Sequence, residues 1–112
     1  MATEYKTLGA IGRRQPGYFQ MDATVAAGDS LIVRIPPGVS PTVGVAPAAG
    51  GTATVSDTPS GAAKIDAGTA DWYAWDDGDI VNPATARARF DGVVRAVKID
   101  ASGGAVAVSV AG

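Results

Sequence analysis

The chain contains no cysteine and no histidine. That excludes disulfides, thiolate nucleophiles, imidazole bases, Cys/His zinc sites and haem ligation together. Leucine occurs only at Leu8 and Leu31, and glutamate only at Glu4. A helical domain of this size draws far more on Leu, Glu and Lys. Positive charge is not in excess: the formal net charge is −2. Binding to nucleic acid by phosphate neutralisation is therefore not expected. The uncharged stretch 36–56 is interrupted by Pro36, Pro37, Pro41 and Pro47, so it cannot form a membrane-crossing helix. The opening Met-Ala-Thr-Glu-Tyr-Lys has no charged start followed by an apolar run. Synthesis and folding in a cytoplasm are the expectation.

What the chain has in quantity is small and β-branched side chains. At 112 residues it is the length of one domain. Val and Ile together number 19 against 2 Leu, a bias towards strands. The 22 Ala and 15 Gly bury little area each, so the core is modest for the length. Partner surface is expected to add to its stability.

Alternation of apolar and polar residues marks the strands. It starts at Tyr18, with Phe19, Met21, Ala23 and Val25 on one side. Leu31, Val33 and Ile35 form the next inward set, ended by Pro36-Pro37. Val43 and Val45, then residues 52–56, predict a hairpin across Gly50-Gly51. Residues 63–66 predict a short strand, and 72–75 another, followed by a turn at Asp76-Asp77-Gly78-Asp79. Residues 84–90 read as an edge strand, and Asp91-Gly92 as a hairpin turn. Residues 93–99 and 105–110 are the clearest strands, joined through Gly103-Gly104. Seven to nine short strands predict an all-β fold: a single small antiparallel β-sandwich, jelly-roll-like or barrel domain over 18–112. Residues 1–17 lack any sustained period and predict an extended N-terminal arm, removable without unfolding the rest.

No residue set predicts catalysis. Asp is plentiful, but nothing singles out a pair of carboxylates for acid–base work. The 76–79 turn lacks EF-hand spacing and a following Glu, so no metal and no cofactor is expected. Charge is uneven, however. Lys6, Arg13 and Arg14 against Glu4 make the first twenty residues +2; the rest, with six Lys/Arg and ten Asp, is −4. A basic arm on an acidic body suits contact with an acidic partner. Trp72, Tyr73 and Trp75 concentrate aromatic surface in one strand. Alternation sets Trp72 opposite Tyr73 and Trp75, so one ring is expected in the core and another at an intermolecular contact or sugar face. Arg95, in step with Val97 and Ile99, pairs with an Asp at the sheet margin or marks a covered surface.

The run Asp71-Trp72-Tyr73-Ala74-Trp75, an Asp/Gly turn, Asp91-Gly92-Val93-Val94-Arg95-Ala96-Val97-Lys98-Ile99, a Gly-rich turn and the Val-alternating 105–110 resembles small virion proteins of tailed bacteriophages. The likeness covers about forty residues. It implies a β-domain on head or tail. With the basic arm, it implies a capsid decoration (cement) protein on the capsid exterior, whose partner is the major capsid protein. Such proteins are homo-oligomers, a trimer being favoured and a dimer compatible. On that reading Lys6, Arg13 and Arg14 touch the shell, and Tyr73 or Trp75 lies at a subunit interface. The competing readings are a tail, neck or fibre component, and a small carbohydrate-binding β-module.

Overall fold

The structure is a computed structural model that describes residues 3–9, 19–81, 84–90 and 94–112. Nine strands and one short helix are present among the described residues. In chain order they are β1 (Thr3–Thr7), β2 (Gln20–Val25), β3 (Ser30–Arg34), β4 (Thr42–Pro47), β5 (Thr52–Thr58), α1 (Ala62–Ala67), β6 (Tyr73–Val81), β7 (Ala86–Arg89), β8 (Ala96–Ser102) and β9 (Val106–Ala111). They form a five-stranded sheet, β1-β3-β8-β5-β6, and a four-stranded sheet, β2-β9-β4-β7. The expectation of a small all-β domain is met; every pairing is antiparallel among the described strands except β1–β3.

β2–β3, β4–β5 and β8–β9 each run on from one sheet into the other, so that each makes a long bent strand with one half in each sheet. β2 pairs with β9 up to Val25↔Val106, and β3 with β8 from Ser30↔Asp100. Between them Gly28 N–H donates to Ala101 O at 2.9 Å, and Ala101 N–H to Asp29 O at 3.0 Å. On the other side β4–β9 runs to Pro47↔Val106, and β5–β8 resumes at Thr52↔Ser102. Ala48 N–H donates to Ala105 O at 2.8 Å across that gap. The pairing therefore continues round the corner, and β8–β9 is the central bent strand.

The predicted hairpin at Gly50-Gly51 is corrected by this arrangement. The Gly50-Gly51 and Gly103-Gly104 turns join strands of different sheets: they are corners, not hairpins. The two corners pack on each other. Gly103 has φ +74°, and a Cβ there would lie 2.5 Å from Gly50 O. Only a residue without Cβ lets the backbones pass at this distance. Asp91-Gly92 lies outside the described residues, but β7 and β8 on either side belong to different sheets and make no hairpin.

Two more expectations change. Residues 63–66 are part of a helix, not a strand. α1 ends at Gly68, in the left-handed region at φ 74°, with Gly68 N–H on Ile65 O and Thr69 N–H on Lys64 O. The predicted turn at 76–79 lies within β6. Pairs Ser56↔Ala74 and Thr54↔Asp79 bracket the extra residues, which bulge from the ladder.

The core fills the space between the sheets. Leu31, Val33, Val55, Val97 and Ile99 from one sheet meet Val43, Val45, Val106, Val108 and Val110 from the other. Trp75 packs on Phe90 within it, ring centroids 6.1 Å apart. A second, smaller cluster lies on the outer face of the five-stranded sheet. There Ile65 of α1 covers Ile32 and Ala96, with Trp72 and Ala70 alongside.

Candidate interaction surfaces

The start of the chain is divided. Thr3–Thr7 pairs with β3, parallel, in register from Thr3↔Ser30 to Thr7↔Arg34. Leu8 follows it into the main core at 1% exposure, and its N–H donates to Arg34 O at 2.9 Å. Residues 3–8 are thus an edge strand with a core anchor. A deletion of 1–17 would therefore remove an edge strand and a buried leucine together with the arm. Lys6 sits on this strand, its Nζ 3.6 Å from Glu4 Oε1. Exposed pairs of this kind contribute little. Arg13 and Arg14 lie outside the described residues. The ends flanking 10–18 are adjacent: Gln20 N–H donates to Gly9 O at 3.1 Å.

The aromatic cluster is split as strand alternation requires. Trp75 is only 8% exposed and sits in the core, so a subunit contact at Trp75 is corrected. Tyr73, at the first position of edge strand β6, is 58% exposed. Trp72 is half-buried on the outer face of the five-stranded sheet, with Lys98 Nζ 5.1 Å from its ring centre. Arg95 is exposed just before β8; its backbone N–H donates to Thr58 O at 2.8 Å.

That outer face carries a set of contacts not assembled by the sequence reading. The Arg34 guanidinium bonds to Asp66 of α1 and lies 5.6 Å from the Tyr5 ring centre. Ser30 donates to Asp100 across the β3–β8 pair. These contacts tie β1 and α1 to the sheet. Between them lies a cleft of about 180 Å³, walled by Thr3, Tyr5, Ser30, Ile32, Trp72 and Lys98. The available signal was parity: Ser30, Ile32 and Arg34 all alternate outwards from the core set Leu31 and Val33.

The outer face of the four-stranded sheet is different. The ladder sets Asp22, Ser109, Gly44 and Arg87 in one row across all four strands. Gln20, Ala111, Thr42 and Arg89 form the next row. A groove of about 480 Å³ runs over the floor made by Gly44, Ala46, Ala107 and Ser109. Ser109 Oγ donates to Asp22 Oδ1 at 2.7 Å, and Gln20 Nε2 to Oδ2 at 3.4 Å.

Among the described residues, no group of three or more acidic side chains is placed to hold a metal ion. Every buried side-chain nitrogen or oxygen there has a hydrogen-bond partner. No helix among them is long and apolar enough to cross a membrane.

No protein-family model matches the chain, and no curated protein matches it. Among solved structures it is similar to Aeromonas hydrophila PliG, a periplasmic lysozyme inhibitor of g-type lysozyme. The TM-score is 0.45 and the identity 11%, over 97% of this chain and 96% of that one. A likeness at that level assigns no function.

Proposed function

We propose that this chain is a non-catalytic structural protein of a phage virion, docking on the outside of the assembled capsid as a decoration protein. The observation that supports this most is the construction at the N-terminus. In the sequence, Arg13 and Arg14 lie between Gly9 and Gln20, two positions that the fold brings together by a backbone hydrogen bond. The flanks of this stretch are fastened, by β1 and Leu8 on one side and β2 on the other. Positive charge tethered at both ends to an acidic body can meet an acidic shell at reduced entropic cost. The partner is the major capsid protein. Binding only the assembled shell stabilises it by mass action, and many copies on a lattice add avidity. No cofactor takes part.

The test is co-sedimentation with undecorated, expanded capsids. The wild-type chain is expected to pellet with shells, and Arg13→Glu/Arg14→Glu to remain in the supernatant with an unchanged circular-dichroism spectrum. Salt at several hundred millimolar should weaken attachment, since exposed charges are screened beyond about 8–10 Å at lower ionic strength. Wild-type protein that stays soluble beside shells sinks the proposal. A tail or neck component would instead sediment with tails.

One observation favours a second reading, a carbohydrate-binding module. The cleft on the five-stranded sheet brings Tyr5, Trp72 and the Ser30 and Thr3 hydroxyls together. Glycan titration with tryptophan fluorescence, repeated on Trp72→Ala, tests it.

A further inference from the structure

The outer face of the four-stranded sheet has charge at its two sides and small residues between. Asp22 is on edge strand β2, held by Ser109 and Gln20; Arg87 and Arg89 are on edge strand β7. Neither arginine has an ion-pair partner among the described residues, and both are exposed. Three strand spacings of about 4.8 Å separate the two edges, so acid and base on one copy lie roughly 14 Å apart, beyond pairing distance.

We propose that this face is a homotypic interface, joining two copies of the chain about a twofold axis that runs parallel to the strands. Such an axis keeps the position along the strand and exchanges the two edges of the sheet. The row Asp22-Ser109-Gly44-Arg87 then stacks on its own reverse. Asp22 of each copy faces Arg87 of the other, and Ser109 faces Gly44. In the adjacent row Gln20 faces Arg89, and Ala111 faces Thr42. The alternative axis, across the strands, sets Asp22 on Asp22 and Arg87 on Arg87, and like charges repel it. The charge pattern thus selects one of the two face-to-face arrangements. The floor supports the same geometry. Gly44, Ala46, Ala107 and Ser109 project little, so the sheets can approach more closely than the usual spacing of about 10 Å. That approach brings a guanidinium from one copy to the carboxylate of the other.

The flat face measures about 20 by 19 Å from strand rise and spacing, or roughly 400 Å² per copy. That is about half of a standard interface, so the dimer is weak and concentration-dependent. This inference is independent of the capsid reading, because it concerns only copies of this chain.

The test is sedimentation velocity on the full chain from about 5 to 500 μM. The weight-average sedimentation coefficient is expected to rise with concentration at low salt and to fall back when salt is added. Arg87→Glu/Arg89→Glu should weaken association at least tenfold, and adding Asp22→Arg to that variant should restore it. Gly44→Leu gives a steric check: a Cβ at Gly44 has no neighbour nearer than 3.8 Å, so the monomer tolerates it while the dimer does not. Circular dichroism confirms that each variant is folded. A chain that stays monomeric throughout overturns the proposal, as does a dimer indifferent to both the charge reversal and Gly44→Leu.

Discussion

The two outer faces of the sandwich start from the same alternating strands and end differently. The five-stranded sheet places Ile32 outwards, and that side chain is covered by Ile65 of α1 and flanked by Trp72. Its charges are met inside the chain, Arg34 by Asp66 and Lys98 by the face of Trp72. The four-stranded sheet places Gly44, Ala46, Ala107 and Ser109 outwards. No helix crosses it among the described residues, and its acid and bases stand at opposite edges. A large apolar side chain on an outer face requires a cover, and α1 with the 70–72 segment supplies one. A face of small residues requires none, and no described helix covers it.

That contrast can be broken by substitution. The largest effect should come from the core that both sheets share. Ile99→Ala, at a fully buried position of β8, is expected to cost about 4 kcal/mol, measured by denaturant unfolding. Next is the corner where the sheets join. Gly103→Ala forces a side chain into the left-handed region and against Gly50 O, and should cost about 3 kcal/mol. A loss below about 1 kcal/mol would mean that the two corners separate easily. Removing the cover is smaller: Ile65→Ala should cost about 2 kcal/mol, since its cluster is a small one. The matching change on the open face, Ala107→Ser, should alter monomer stability by less than about 0.5 kcal/mol. Equal losses at Ile65 and Ala107 would erase the distinction between the faces. Smallest is Lys98→Ala, where loss of the ammonium from the Trp72 ring should cost about 0.5 kcal/mol, with a small change in tryptophan emission.

Much of the fold was legible because alternation survives wherever one face is buried. β2, β3, β4, β5 and β9 lie where Met21, Leu31, Val43, Val55 and Val108 mark them. The turns were legible as turns, but their angle was not. Gly50-Gly51 and Gly103-Gly104 reverse nothing; they carry the chain from one sheet to the other, since each flanking strand finds its partner across the ribbon. Local chemistry permits both outcomes, and the neighbouring strand selects one. β1 was missed for a related reason. Residues 3–7 sit at a sheet edge with little burial, so they carry no alternation to detect, and only Leu8 is anchored in the core. Of the candidate site residues, Tyr73 is exposed and Trp75 is not. Alternation separates Trp72 from those two rings but cannot say how far the core extends along the strand.

One tetrapeptide shows where sequence stops and structure begins. Lys-Ile-Asp-Ala occurs at 64–67 and again at 98–101. In the first it belongs to helix α1; in the second it belongs to the central strand β8. Both isoleucines are buried, Ile65 at 3% and Ile99 at 0% exposure, whereas the sequence read both segments as strands. The sequence by itself determined an all-β domain without thiol or imidazole chemistry. The tertiary structure decided the backbone path around each isoleucine. At 98–101 the flanking strands β3 and β5 supply hydrogen-bond partners on both sides, and Val97 and Ala101 extend the alternation. At 64–67 no strand among the described residues pairs with the backbone, so it satisfies its own hydrogen bonds in a turn and a half of helix packed over Ile32.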